Sequence, residues 1–174
     1  DVKEPEAGMI DAGADQNQDQ EPVMVRENLI SLTGIAVGMG VVSFIGFYCE
    51  SFFLIPSLAS SAIMLFLSYN NVFAQPRNVL GGHLMSALAA VIVLQCGDPR
   101  WWSIAVVVVL AAVLMMVSHT VHPPGGGTAI AAYICHYLPA QIFGAVILGC
   151  VVMILVAVLL NNASPHRKYP LFWI

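Results

Sequence analysis

Three short stretches place polar side chains inside an otherwise apolar chain. "SHTVHPPGGGTA" (118–129) sets His119 and His122 three residues apart, then Pro123-Pro124, Gly125, Gly126, Gly127 and Thr128. Imidazoles at that spacing share a face wherever a helix persists, and such a pair can ligate a metal, pass a proton or meet an anion. No Asp, Glu or Cys lies nearby in sequence to complete a metal set, so no metal and no cofactor are expected. The prolines lack an N–H and push the preceding residue out of helix geometry, while the glycines let backbone come close to a ligand. Thr128 is expected to start a helix whose free amides and macrodipole favour an anion. A kinked surface loop with glycine-mediated helix packing accounts for the same residues.

"IPSLASSA" (55–62) holds Ser57, Ser60 and Ser61 just past Pro56. Hydroxyls at a helix start can bind an anion, or simply cap the helix and bond back to its carbonyls. "AQPRNVLGGHLMSA" (74–87) brings Gln75, Arg77 and Asn78 to the head of a third apolar run, with Pro76 suited to a first helical turn. Arg77 either draws an anion into a vestibule or snorkels from the membrane interface. His83 lies about one and a half turns further in, where an ionisable group is a functional candidate by default; a neutral imidazole bonded to a neighbouring helix is the plain alternative. All thirteen residues are candidate substrate-binding groups. No catalytic constellation accompanies them, so no enzyme is expected.

These groups must be positioned by membrane helices. The 174 residues are 59% hydrophobic and 9% charged, with a mean hydropathy of +0.82. A soluble domain of this length could not cover that much apolar surface. The chain therefore reads as an all-α membrane protein. Its six hydrophobic segments run from Leu29 to about Cys49, from Ser57 to Tyr69, from Val79 to Cys96, from Trp101 to Ser118, from Thr128 to Tyr137, and from Pro139 to Leu160. The second and fifth are short and begin after Pro56 and after Pro123-Pro124. Residues 1–28 form an acidic tail too polar to order itself, 29–162 the transmembrane domain, and 163–174 a basic C-terminal tail. The acidic tail lacks the basic start and apolar run of a signal peptide.

A shift of 67 residues lays Pro56 on Pro123, Gly82 on Gly149, and the first three segments on the last three. Three segments per half would make the repeats inverted, and interrupted segments at matching positions point to a transport site. A shift of 47 matches Pro76 with Pro123 instead and would make a parallel two-helix repeat; 67 is preferred because it pairs all six segments. If the repeats are inverted, the two short helix starts approach from opposite faces and meet. Arg26, Arg77, Arg167 and Lys168 fall on one side after six crossings, which predicts cytoplasmic termini, with Arg100 the exception. Gly34-x3-Gly38 is a small-xxx-small pattern that serves packing within a protomer or between protomers of a homo-oligomer. Cys49, Cys96, Cys135 and Cys150 read as small apolar side chains.

His122-Pro123-Pro124 with its glycines, together with "AQPRNVLGGH" (74–83), resembles the HPP family of integral membrane proteins. "ASSAIMLF" (59–66) matches that family's small-residue segment less closely, with Ser where Gly or Ala is expected. The resemblance spans about residues 29–160. The family is usually described with four spanning helices, and the six segments exceed that by the two short ones. The resemblance implies transport of a small monovalent anion, nitrite first, across a bacterial inner membrane or plastid envelope, with cytoplasmic or stromal termini. The expected partners are that inorganic anion and the lipid bilayer, with no nucleic acid. Two other readings stand beside it: an intramembrane metal or redox protein built on the histidines, and a non-transporting scaffold whose tail recruits partners.

Overall fold

In hydrocarbon every backbone N–H and C=O must find its partner inside the protein, which leaves the apolar runs little choice but helix. The structure, a computed structural model, describes residues 11–49, 55–97, 100–135 and 138–173. Among these are six α-helices and no strand: α1 (Asp11–Tyr48), α2 (Ile55–Leu67), α3 (Pro76–Leu94), α4 (Trp101–Val117), α5 (Gly125–Ile134) and α6 (Pro139–Asn161), with a 3-10 turn at Val72–Ala74. Three stretches are long and apolar enough to cross a membrane: Val23–Tyr48 in α1, Pro76–Leu94 (α3) and Pro139–Asn161 (α6). α2 and α4 are shorter apolar helices. At 1.5 Å per residue α2 is roughly 20 Å long and α5 roughly 15 Å, well under the ~30 Å of a hydrocarbon core.

Several boundaries differ from the sequence expectation. α1 continues back to Asp11, so the described part of the acidic tail is helical backbone continuous with the first span; residues 1–10, Glu50 and Asp98 lie outside the described residues. α2 starts at Ile55, and Pro56 occupies its first turn, where a missing N–H costs nothing. α3 starts at Pro76, which puts Arg77 and Asn78 inside the helix and His83 two turns along it. α5 starts at Gly125 with the three glycines inside its first turn.

α3 packs against α4, α5 and α6, while α1 packs against α2 and α6. The seams are lined by small buried residues, Ala87 and Ala90 on α3, Ala111 on α4 and Ala129 and Ala132 on α5, which let backbones approach closely. Gly34 and Gly38 serve the same purpose within the protomer. A Cβ at Gly34 would collide with the Phe66 ring, and one at Gly38 would come within 2.9 Å of Met153 Sδ. The outward faces carry Leu32, Phe44 and Phe47 on α1, Val109 and Val117 on α4, and Leu155 and Leu159 on α6, all exposed, as lipid contact requires. Trp101 and Trp102, both exposed, begin α4 as interface anchors do.

The C-terminal segment does not trail away. Arg167, 8% exposed, reaches the start of the first span and the ends of α2 and α6. Its Nε donates to Glu27 Oε2 at 2.5 Å. Nη1 donates to the Phe66 carbonyl and to Asn161 Oδ1, at 3.2 and 3.0 Å. Nη2 donates to the Glu27 carbonyl and to Ser31 Oγ, at 2.5 and 2.8 Å. All five guanidinium donors are thereby used, and the group lies 4.8 Å from the centre of the Tyr69 ring. Asn161 Nδ2 donates to the Leu65 carbonyl at 3.1 Å. The last carbonyls of α2, which have no partner in their own helix, are thus closed by side chains from both ends of the chain. Tyr169, 2% exposed, donates its hydroxyl to the Ala74 carbonyl at 2.8 Å. We call this end of the bundle the basic end.

Candidate functional site

The two short helices touch at their starts. Ser57 Oγ, in the first turn of α2, lies 2.8 Å from Thr128 Oγ1, in the first turn of α5. A Cβ at Gly127 would sit 3.2 Å from Ser57 Cβ, so only a residue without a side chain allows this approach at ease. From the contact, α2 runs toward the basic end, where Leu65 and Phe66 meet Asn161 and Arg167. α5 runs the other way: its Tyr133 hydroxyl reaches Ser103 Oγ at the start of α4, 2.8 Å away.

Around the contact lies a continuous chain of buried polar groups. Thr128 Oγ1 is 2.7 Å from His83 Nδ1. His83 Nε2 is 2.9 Å from Ser61 Oγ, and the same hydroxyl is 2.9 Å from His122 Nε2. His122 Nδ1 ends the chain on the Phe73 carbonyl at 2.7 Å. Ser57, Ser61, His83, His122 and Thr128 are all between 0% and 3% exposed. The imidazole centroids are 5.0 Å apart. His83 lies seven residues beyond Pro76, so the cluster sits ~10 Å along the helix axis from the basic end.

One carbonyl orders every proton in this chain. The Phe73 oxygen can only accept, so His122 Nδ1 carries a hydrogen. In the neutral ring Nε2 must then accept, and the Ser61 hydroxyl donates to it. Ser61 can then only accept from His83 Nε2–H. His83 Nδ1 in turn accepts from the Thr128 hydroxyl, and Thr128 accepts from Ser57. Taken from the Phe73 carbonyl, the assignment for neutral rings runs in one direction from Ser57 to Phe73. Such a network is held firmly because a break anywhere leaves a buried polar atom unsatisfied.

Close backbone contact makes this possible. A Cβ at Gly82 would stand 2.5 Å from His122 Cβ and 2.9 Å from the Thr120 carbonyl, and one at Gly81 2.5 Å from Thr120 Cγ2. Those glycines let the connection between α4 and α5 descend along α3 and deliver His122. Asn78 holds the descent with a 2.9 Å bond from Nδ2 to the Val121 carbonyl. His119, exposed and at φ 53°, makes the turn that begins it.

The remaining candidates are elsewhere. Gln75 is fully buried, but its Nε2 holds the Tyr69 and Asn71 carbonyls at 3.0 and 2.9 Å, and its Oε1 accepts from the Leu171 amide at 2.7 Å. Arg77 is exposed and reaches the Ser118 carbonyl at 3.5 Å. Ser60 is exposed and bonds back to the Pro56 carbonyl at 3.5 Å. The amides expected to be free at the start of α5 are in bonds: those of Gly125, Gly126 and Gly127 donate to the carbonyls of His122, Pro123 and Pro124 at 2.9, 3.1 and 3.0 Å. Pro123 and Pro124 fill the positions whose N–H would have had no partner. Among the described residues no group of three or more His, Cys, Asp or Glu side chains converges as a metal set.

Sequence reasoning missed the Phe73 carbonyl, because a backbone acceptor has no residue signature. It also missed the Arg167–Glu27 pair. Each partner reads in sequence as one of two adjacent charges in a polar tail, yet 140 residues separate them.

Comparison with known proteins adds a family. The sequence matches the family described as "HPP, transmembrane region" over residues 20–170. It is 36% identical over 135 residues to a protein of Dictyostelium discoideum described as a transmembrane protein, covering 71% of this chain and 42% of that protein. A second transmembrane protein of the same organism is 32% identical over 131 residues, covering 69% of this chain and 45% of the relative. The chain thus spans less than half the length of these two relatives. No solved structure matches.

Proposed function

Because the chain belongs to the HPP transmembrane family, we propose that it carries a small monovalent anion, nitrite first, across the membrane that holds it. The observation that carries this reading is the meeting of two interrupted helices at Ser57 and Thr128, inside a buried polar cluster of a protein otherwise built from apolar helices. Discontinuous helices pointing their starts at one place are how transporters build a site near the middle of the membrane. α2 and α5 run in opposite senses from that contact, the arrangement that inverted three-helix repeats would produce.

In this reading the structure is a closed state. The Ser57 and Thr128 hydroxyls bond to each other, the Thr128 and Ser61 hydroxyls bond to the imidazoles, and an anion enters by replacing those bonds. Hydroxyls and imidazole N–H groups, rather than the amides of Gly125 to Gly127, meet the anion, since those amides are already engaged. Arg77, exposed at the basic end, supplies the attraction at the mouth. The basic end faces the cytoplasm or stroma, where the excess of Arg and Lys belongs, in a bacterial inner membrane or plastid envelope.

Reconstitution of the full chain in liposomes tests the proposal. Nitrite efflux should exceed that of protein-free vesicles, and nitrate, formate and chloride should rank behind it. Equal rates with and without protein for all four anions would end the transport reading.

A further inference from the structure

Resting on that transport reading, we infer that His83, Ser61 and His122 form a proton-binding site, loaded together with the anion. The geometry around Ser61 Oγ is what points there. This single hydroxyl lies 2.9 Å from His83 Nε2, 2.9 Å from His122 Nε2 and 3.1 Å from the Ser57 carbonyl. In the neutral cluster Ser61 donates to His122 Nε2 and accepts from His83 Nε2–H. Add one proton at His122 Nε2, and that nitrogen becomes a donor to Ser61 Oγ. The serine hydrogen then swings to the Ser57 carbonyl, which has been within reach throughout. Ser61 now accepts from both imidazoles, His83 keeps its bond from Thr128, and His122 keeps its bond to Phe73. Both protonation states satisfy His83, Ser61, His122 and Thr128 with the same heavy-atom positions. Only one hydroxyl rotates.

The Ser57 carbonyl is the ordinary back-bond acceptor of a helical serine, and here it stands beside a hydroxyl shared by two imidazoles. The surroundings also make a proton the natural counter-charge. Among the described residues α2, α4, α5 and α6 carry no Asp, Glu, Lys or Arg, and α3 carries only Arg77, which is exposed and turned to the Ser118 carbonyl. Glu27 and Arg167 pair with each other at the basic end, and His119 is exposed at the α4–α5 turn. Tyr133, the ionisable side chain of α5, is bonded to Ser103, and Cys150 is a buried thiol on α6. Among the described residues, therefore, no fixed positive charge meets an anion at Ser57 and Thr128. An unpaired charge in such a setting is costly. A proton on the His83–Ser61–His122 site and an anion beside it stabilise each other, and the pair crosses without net charge.

Nitrogen-15 NMR of histidine-labelled full-length protein in lipid bilayers reads the site directly. Without anion His122 Nε2 should carry the signature of an unprotonated acceptor and Nδ1 that of a donor. With nitrite the Nε2 signal should convert to the protonated form at a pH at least one unit higher than without it, a tenfold gain in proton affinity. A His122 Nε2 that stays unprotonated with nitrite, or titrates at the same pH with and without it, overturns the inference. Ser61→Ala removes the shared acceptor and should lower proton affinity about tenfold or more; Ser61→Thr keeps the hydroxyl and should restore it. In liposomes, nitrite entry should bring protons at one to one, above the level of protein-free vesicles, and should not respond to an imposed membrane potential. Nitrite entry that is potential-driven and proton-free sinks the coupling and leaves transport standing. An anion-dependent His122 shift with no nitrite flux leaves the proton site and sinks the transport reading.

Discussion

At Thr128 one hydroxyl does two jobs, donating to His83 Nδ1 and accepting from Ser57. Thr128→Val keeps the shape and removes both. It leaves His83 Nδ1 buried without a donor, at a cost of about 1–3 kcal/mol. In detergent, thermal unfolding should shift down accordingly, and nitrite binding should weaken in parallel. Thr128→Ser keeps the hydroxyl and should show little of either effect. An unchanged nitrite affinity in folded Thr128→Val protein would remove Thr128 from the anion site. The residue scale also separates the glycines, which look alike in sequence. A Cβ at Gly125 would stand 2.8 Å from Met115 Cε and 2.9 Å from Ser86 Oγ, whereas one at Gly126 meets nothing within 4 Å. Gly125→Ala should therefore destabilise by about 1–3 kcal/mol through overpacking. Gly126→Ala should be neutral, or stabilise by up to about 1 kcal/mol through helix propensity. Equal effects of the two on melting temperature would contradict the packing described.

Among the elements, the end of α2 shows how a short helix is completed by distant sequence. Its Leu65 and Phe66 carbonyls are satisfied by Asn161, Ser31 and Arg167, contributed by α6, α1 and the C-terminal segment. A guanidinium at a helix C-terminus also meets the negative end of the macrodipole. Removing it would leave Glu27 without its cation and take one donor each from the Glu27 and Phe66 carbonyls. Arg167→Ala should cost about 1–3 kcal/mol, as unmade hydrogen bonds in a half-buried network do. Arg167→Lys should recover only part, because an ammonium has three donors where five are in use. Unfolding of Arg167→Ala, Glu27→Gln and the double variant should show strong coupling between the two sites. Additive losses would mean that the ion pair itself contributes nothing.

For the whole molecule, contact between Glu27 and Arg167 places the start of the first span and the C-terminal segment at one end of the bundle. Accessibility labelling can test this in intact cells or oriented vesicles. Single cysteines at Met24 and Lys168, both exposed, should react with an impermeant maleimide from the same side, and that side should be the cytoplasmic or stromal one. Labelling from opposite sides would contradict the arrangement at the basic end. Labelling of both from the other side would leave the fold intact and reverse its orientation in the membrane.

Much of this protein is legible in its amino-acid sequence. Apolar runs in hydrocarbon must become helices, because no water is present to satisfy their backbone, and Pro56 and Pro123-Pro124 mark short helices because proline suits a first turn and little else in a helix. The pairing of His122-Pro123-Pro124 with Gly81-Gly82-His83 also points to one family. Which polar groups meet is a different matter. Ser61 is 22 and 61 residues from the two histidines it bonds, His83 and His122, and Gln75, Arg77 and Asn78, near His83 in sequence, are turned to other work. Sequence spacing reports the face of one helix; a network across α2, α3 and α5 depends on how those helices cross. The amides of Gly125 to Gly127 look free along the sequence because a one-dimensional reading cannot see a turn closing on the preceding carbonyls. Arg167 and Glu27 look like tail charges because only folding brings the two ends of the chain together. Tertiary packing made these decisions, since hydrogen bonds are chosen by distance in space and the chain records only distance along itself.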